Sequence, residues 1–380
     1  MAPAIMTPYR NAERGVTLIE MMVAITVGLI LLAGIIELFV SNKQAYRIQE
    51  GTNALNEGAR YVLNQLTYDV RMAGHWGGAS RNGGAAGNAT NEGGTFSGGT
   101  APANDCAQSP ALSTLGIQGF DGGANSPLSC IAAGDYQANT DILIVRFGGA
   151  ERVITAKAAA KPNTQFVRTN EYMRAEIRDG SKFSGNSYQS IVTATSVGTT
   201  DLAIETGTHT TQITATYLLD VAYYFVRRCA SQSNGTAGVC DNGDDTTPTL
   251  TRLVLRDGVL VQEDLMAGVE KFEVTYGIDT TPTDNNPVAT SFVNAAAVTA
   301  ANNWDNVSEV RFSLVLRNSE RDPTYTDTKP YVLYGGGALG AGVSYTPPSN
   351  ANPLLNAQKF LRKVFNSTVQ VRNINLARIP

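Results

Sequence analysis

The sequence predicts an α+β fold in which one long N-terminal α-helix packs on an antiparallel β-sheet. Three patterns carry this prediction: an apolar segment over residues 16–40, a helical repeat of apolar residues after it, and later stretches where apolar and polar residues alternate. Apolar residues three and four positions apart line one face of a helix, whereas strict alternation lines one face of a strand. Of the 380 residues 43% are hydrophobic, which is enough to build a packed core.

Residues 16–40 have the length and composition of a transmembrane helix, because about 20 residues rising 1.5 Å each cross the hydrocarbon layer. Residues 21–36 contain neither a charge nor a proline. A secretory signal peptide ends at a small-residue cleavage site after its apolar run, but residues 41–44 read Ser-Asn-Lys-Gln. The segment is therefore predicted to stay attached to the chain.

Helical character continues into an amphipathic half, residues 41–73. Apolar residues at steps of three and four form its predicted core face: Leu55, Ala59, Val62, Leu66 and Val70. Three further residues are predicted to widen this face: Tyr61, Leu63 and Met72. One helix is thus predicted from Thr17 to about Met72.

Residues 74–380 are predicted to form a globular, β-rich domain. Its first part, residues 74–100, holds ten glycines and is typical of a long irregular loop. Strand signals follow as two apolar runs and three alternating stretches, at residues 142–145, 217–226, 252–256, 271–276 and 309–316. An antiparallel sheet with one apolar face needs a cover, and the apolar face of the amphipathic helix half is expected to supply it.

Four cysteines occur, at Cys106, Cys130, Cys229 and Cys240. No Cys-x-x-Cys motif is present, which speaks against zinc-ribbon and thioredoxin-like chemistry. In a chain exported across a membrane, two disulfides are expected. Four cysteines allow three connectivities, and proximity in the sequence favours Cys106–Cys130 and Cys229–Cys240.

The motifs that would indicate an enzyme, a cofactor or a metal site are absent or incomplete. The two histidines, His75 and His209, lack a second ligand at helical spacing and are expected at the surface. Residues 335–340 match Gly-x-Gly-x-x-Gly, but the residues after them do not resemble the helix that a dinucleotide site requires. Residues 241–245 are rich in Asp but lack EF-hand spacing. We therefore predict a chain that is not an enzyme and binds no cofactor.

Charge gives no reason to expect a nucleic-acid partner. The formal net charge is −4, and the basic pairs at residues 227–228 and 362–363 have no interleaved aromatic residues. These pairs are expected to be solvated strand ends.

The residues Gly15-Val16-Thr17-Leu18-Ile19-Glu20 resemble the class III signal of type IV pilins and of type II secretion pseudopilins. Residues 41–74 and 362–373 are similar to the corresponding parts of PilW-type minor pilins. This resemblance implies the pilin fold, a leader peptide over residues 1–15, and an assembly role for the transmembrane helix.

The resemblance also implies processing. A prepilin peptidase would cut after Gly15 and methylate the new N-terminus at Val16, and Glu20 would become the fifth mature residue. An acid in a membrane segment costs roughly 2.5–3.5 kcal/mol on translocon scales and usually has a partner. The amine of Val16, on the same or a neighbouring subunit, is the expected partner of Glu20, and pairing between subunits would set the register of a fibre.

For function, the resemblance implies a minor pilin that helps to initiate or cap a type IV pilus within a tip complex, with twitching motility or cell adhesion as the output. Its partners would be other minor and major pilins, prepilin peptidase, the inner-membrane assembly platform and a tip adhesin. It would cross the bacterial inner membrane once, facing the periplasm, and reach the cell surface after assembly. Two alternatives are a J-type pseudopilin of type II secretion and an adhesin that binds through the Gly/Asn-rich loop.

Overall fold

The computed structural model describes residues 15–77, 90–91, 115–153, 164–170, 175–179, 213–231, 239–241, 244–256, 259–279, 288–335, 342–350 and 357–373. The chain divides into two compact units, residues 1–51 and 52–380. Helix α1 (Leu18–Met72) begins in the first unit and ends in the second. The long helix and the antiparallel sheets described below confirm the predicted α+β class.

In the first unit, every side chain from residue 15 to residue 50 is exposed. This part of α1 is long and apolar enough to cross a membrane. A continuous apolar surface of this size is unfavourable in water, so it requires lipid or other apolar helices around it.

In the second unit, α1 buries the predicted core face, because Leu55, Ala59, Val62, Leu66 and Val70 are each at most 3% exposed. Leu63 and Met72 are partly buried beside them. The prediction for Tyr61 is wrong, since its side chain is 56% exposed. At about 100° per residue, Tyr61 points roughly 140° away from the centre of the buried face.

The larger sheet has eight strands in the order β1-β5-β4-β6-β3-β2, with β7 pairing with β6 and β8. All described pairs are antiparallel except β1 with β5. Numbered in chain order, its strands are β1 (Thr90–Asn91), β2 (Ile117–Phe120), β3 (Ile142–Arg152), β4 (Gln165–Asn170), β5 (Ala175–Asp179), β6 (Ile213–Arg227), β7 (Thr249–Arg256) and β8 (Val259–Ala267).

The smaller sheet has four antiparallel strands in the order β10-β9-β11-β14, and β12 pairs with β13 in a separate hairpin. These strands are β9 (Val269–Ile278), β10 (Ser291–Val293), β11 (Val307–Arg317), β12 (Tyr331–Tyr334), β13 (Gly342–Tyr345) and β14 (Arg362–Gln370). A short helix α2 (Ala295–Ala300) follows β10, and the described residues include 3₁₀ turns at Trp304–Asn306 and Ala357–Lys359.

The expectation of one sheet with one covered face is incomplete, because the strands divide between sheets and β6 is buried on both sides. Leu143, Ala222 and Tyr224 belong to a core that α1 forms with the eight-stranded and the four-stranded sheet. Ile144, Tyr223 and other alternate residues join a second core on the opposite face. Burial on both faces explains why the sequence of β6 is an almost continuous apolar run.

The disulfide between Cys229 and Cys240 is confirmed, with the two Cα atoms 5.8 Å apart. Cys130 is also disulfide-bonded. Cys106 lies outside the described residues, as does most of the glycine-rich loop, so the pairing of Cys106 with Cys130 stays a prediction.

Gly58 marks a close approach between α1 and β8. A Cβ atom at Gly58 would lie 2.7 Å from Sδ of Met266, which is too short for a van der Waals contact. The close packing explains why a glycine stands at position 58, although glycine stabilises a helix by about 1 kcal/mol less than alanine does.

Candidate processing and assembly site

The first turn of α1 is closed by reciprocal hydrogen bonds between Thr17 and Glu20. The amide of Glu20 donates to Oγ1 of Thr17 at 3.3 Å, and the amide of Thr17 donates to Oε2 of Glu20 at 3.3 Å. The hydroxyl of Thr17 donates to the same Oε2 at 3.1 Å. This pattern is a capping box, in which two side chains satisfy backbone N–H groups that the helix itself leaves unpaired.

Sequence reasoning missed the role of Thr17, although Thr-x-x-Glu before an apolar run is a recognised helix-start signal. Glu20 also lies at the end of α1 where the helix dipole is positive, which stabilises an anion. In the uncut chain the nitrogen of Val16 is a peptide amide, and the carboxylate of Glu20 contacts Thr17. The pairing of Glu20 with a Val16 amine therefore stays a prediction for the cut chain.

Gly15 and Val16 precede the helix in non-helical backbone and are exposed. Val16 is 73% exposed, and nothing lies within 4 Å of where a Cβ would sit on Gly15. An exposed, non-helical peptide bond is the kind of site that a peptidase can reach.

At the other end of α1, the C-terminal segment of the chain returns to the helix. The side-chain amide of Asn373 donates to the carbonyl oxygens of Arg71, Met72 and Ala73, at 3.0, 3.3 and 3.3 Å. These include carbonyls that the last helical turn leaves unpaired. Lys363 Nζ, at the start of β14, donates to Oδ1 of Asn56 at 2.7 Å.

The prediction that residues 362–363 form a solvated end is wrong for Arg362, whose side chain is fully buried. Its Nε and Nη2 donate to the two carboxylate oxygens of Glu270 at 2.6 and 2.9 Å, and its Nη1 lies 3.3 Å from Oδ2 of Asp327. Arg317 adds a second cation, 3.3 Å from Glu270. Buried charges persist only when they are paired in this way.

Arg227 is a second correction, because it is 2% exposed instead of solvated. Its guanidinium donates to the carbonyl of Cys229 at 3.0 Å and to Asp264 at 3.1 Å. The arginine therefore ties β6 to β8 beside the disulfide.

A polar cluster lies where the last turns of α1 meet β6 and β7. The Tyr224 hydroxyl donates to Asp69, Gln65 donates to Asp69 at 3.0 Å, and Arg252 lies 3.7 Å from Asp69. Burial raises the pKa of Asp69 above its usual range, and it raises the pKa of Tyr224 well above 10. A polar cavity of about 250 Å³ opens beside Asp69 and is also lined by Tyr68, Phe147 and Asp220.

The described residues place no group of three or more His, Cys, Asp or Glu side chains in a position to hold a metal ion. His75 is half-buried, with its ring edge-on to Tyr217, and burial lowers its pKa; His209 lies outside the described residues. After the glycine-rich segment 335–340 the chain forms strand β13, where a dinucleotide site would need a helix.

The prepilin methylation motif at the start of the capped, apolar helix marks a type IV pilin-like protein. Residues 10–36 match the prokaryotic N-terminal methylation motif, and residues 224–373 match the family Type IV Pilus-assembly protein W. These two matches confirm the resemblance to PilW-type minor pilins. Proteins of this kind are structural.

One solved structure, a type IV-like pilin from Thermus thermophilus, shares 15% identity over 41% of this chain and 66% of its own length. The TM-score is 0.20, which is too low to define a common fold. No curated protein matches the chain significantly.

Proposed function

We propose that this protein is a minor pilin that prepilin peptidase trims after Gly15 and that helps to initiate or cap a type IV pilus within a tip complex. The observation that carries the proposal is the start of α1. An exposed Gly15-Val16 bond stands directly before a capped helix whose residues 18–50 are all exposed and largely apolar. The two family matches support the same function.

In the proposed pathway, the apolar part of α1 anchors the precursor in the bacterial inner membrane with residues 52–380 in the periplasm. Cleavage and N-methylation create a new N-terminus at Val16. The apolar helix then leaves the lipid and packs among the helices of other pilins, because their apolar surfaces replace the hydrocarbon around it. The assembly platform and prepilin peptidase are the expected membrane partners.

Substitution of Gly15 tests the processing step. In cells that contain prepilin peptidase, the wild-type chain should lose residues 1–15 and carry a methylated Val16. Gly15→Leu should stay at full length, whereas Gly34→Ala, a glycine with open space around it, should be cut normally. Normal trimming of Gly15→Leu would sink the proposal.

A deletion strain separates the pilus from a secretion pseudopilus. Loss of the gene should reduce surface pili and twitching while protein export stays intact. Lost export with normal pili would assign the chain to a type II secretion system instead.

A further inference from the structure

Arg311 on β11 is half-buried and has no polar partner among the residues that the structure describes. Within the part of the chain that the structure describes, its guanidinium makes no hydrogen bond and no ion pair, and its Nε is buried without an acceptor. An arginine has five N–H donors in a fixed planar fork. Arg227, Arg252, Arg317 and Arg362, on the same two sheets, all have carboxylate partners.

Two aromatic rings hold the guanidinium in place. Its Cζ atom lies 3.2 Å from the centroid of the Phe292 ring and 5.3 Å from that of Tyr334. Phe292 is 4% exposed, and the amide of Tyr334 donates to Oγ of Ser313 at 2.9 Å. The Phe292 ring is therefore fixed by burial and the backbone of Tyr334 by its hydrogen bond, and stacking on aromatic faces restricts the rotation of an arginine side chain.

Gly277 makes room for this arrangement. It pairs with Phe292 on β10 and with Glu309 on β11, and a Cβ atom there would lie 2.8 Å from the Phe292 ring. The absence of a side chain lets the ring lie across the sheet and reach Arg311. The strand neighbours that directly face Arg311 are the neutral Thr275 and Thr368.

We propose that Arg311 binds a carboxylate on a neighbouring pilin subunit. A planar fork of donors matches a carboxylate in two-point contact, and an arginine held by aromatic rings loses little entropy on binding. Glu309 lies two residues away on the same face of β11. Its negative charge repels a dianionic phosphate more strongly than a single carboxylate, so the carboxylate is the better ligand.

The proposal rests on the proposed function, which supplies the neighbouring subunit. Phe292, Arg311 and Tyr334 all lie within residues 224–373, the part that matches the pilus-assembly family. Arginine and aromatic residues are also the side chains most enriched where proteins bind each other tightly.

Zero-length cross-linking tests the proposal directly. Arg311→Lys places a primary amine where the guanidinium was, and a water-soluble carbodiimide joins amines to carboxylates that touch them. Membranes and sheared pili from cells producing R311K should yield an isopeptide bond from position 311 to an Asp or Glu of another pilin chain. The control R372K changes an exposed arginine of the same region and should give a clearly lower yield.

Arg311→Gln provides the second measurement. Other pilins should co-purify with it about tenfold less than with the wild type, as expected when one central arginine contact is lost. An unchanged thermal midpoint would show that the variant folds. Equal recovery with R311Q, or cross-linking of R311K no stronger than that of R372K, would overturn the assignment.

Three outcomes remain distinguishable. If no pilin co-purifies with the wild-type chain, the proposed function itself fails. If pilins co-purify equally with the wild type and R311Q, only the role of Arg311 fails. If R311K forms no link to protein and R311Q loses binding to vesicles of anionic phospholipid, the anion is a phosphate and the carboxylate assignment is wrong.

Discussion

The side-chain amide of Asn373 donates a hydrogen bond to the carbonyl oxygen of Arg71, 3.0 Å away and 302 positions earlier in the chain. The same amide reaches the next two carbonyls, so the C-terminal segment caps the end of α1. The two stretches that resemble minor pilins most closely in sequence are therefore joined in space.

Asn373→Ala should destabilise the protein by about 1 kcal/mol, because the helix end loses its side-chain donor. Thermal unfolding of the detergent-solubilised full chain measures this change. Asn366→Ala is a matched control, since Asn366 is an exposed residue of β14, and it should unfold like the wild type. An equal effect of both substitutions would argue against the cap.

Glu20→Gln and Thr17→Val separate helix capping from charge pairing. Glutamine also serves in a capping box, so Glu20→Gln should keep the helix start and be trimmed after Gly15. If the charge pairs with the amine of Val16, the trimmed E20Q protein should still fail to enter pili.

Thr17→Val removes the hydroxyl and keeps the carboxylate, so it should weaken the first turn while the charge pair remains. The fraction of processed protein found in sheared pili is the measurement for both variants. Normal incorporation of E20Q would mean that capping is the main role of Glu20.

Gly58→Val should destabilise the protein by about 1 kcal/mol, because the added side chain displaces the flexible end of Met266. Met266→Ala removes the obstructing group. The double variant should therefore recover part of the loss, which a double-mutant cycle of unfolding free energies detects. Strict additivity of the two effects would contradict the contact.

Arg362→Met should cost about 3–5 kcal/mol, because it leaves Glu270 and Asp327 buried without their shared cation. Denaturant unfolding of the full chain measures this loss. Arg372→Met, at an exposed position, should change stability by less than about 0.5 kcal/mol.

Stability should fall as the pH rises from about 4 to about 8 through the titration of Asp141. Burial, helped by the nearby Glu273, raises the pKa of Asp141 to about 8 from its ordinary value of 3.8. Between these pH values the folded state binds a proton that the unfolded state has lost. The stabilisation that protonated Asp141 contributes is therefore complete below about pH 4, and it declines by up to about 1.4 kcal/mol per pH unit as the pH rises toward 8.

Asp141→Asn should flatten this slope and also lower stability by about 1–3 kcal/mol. The two carboxylate oxygens accept from the amides of Gly122 and Val274, both at 2.7 Å, and an asparagine side chain has only one acceptor oxygen. Unfolding free energies across this pH range check both effects. Glu320→Gln, at an exposed carboxylate, should leave the slope unchanged, and an unaltered slope in D141N would exclude Asp141 as its source.

The sequence by itself determined the long helix, its buried face and the α+β class. These depend on local spacing: the apolar run of residues 16–40, and the steps of three and four from Leu55 to Val70, are visible without knowing what they touch. The Cys229–Cys240 disulfide could be predicted from the sequence for the same reason, because the two cysteines are only eleven positions apart.

Only the tertiary structure decided which charged residues are buried and paired, and how the strands divide between sheets. Arg362 and Arg227 look like solvated strand ends until Glu270 and Asp264, 92 and 37 positions away, are brought beside them. Arg311 is distinguished from them by aromatic rings on other strands and by having no ion-paired carboxylate among the described residues. Pairings across such distances depend on which strands become neighbours, and no local pattern in the sequence records that choice.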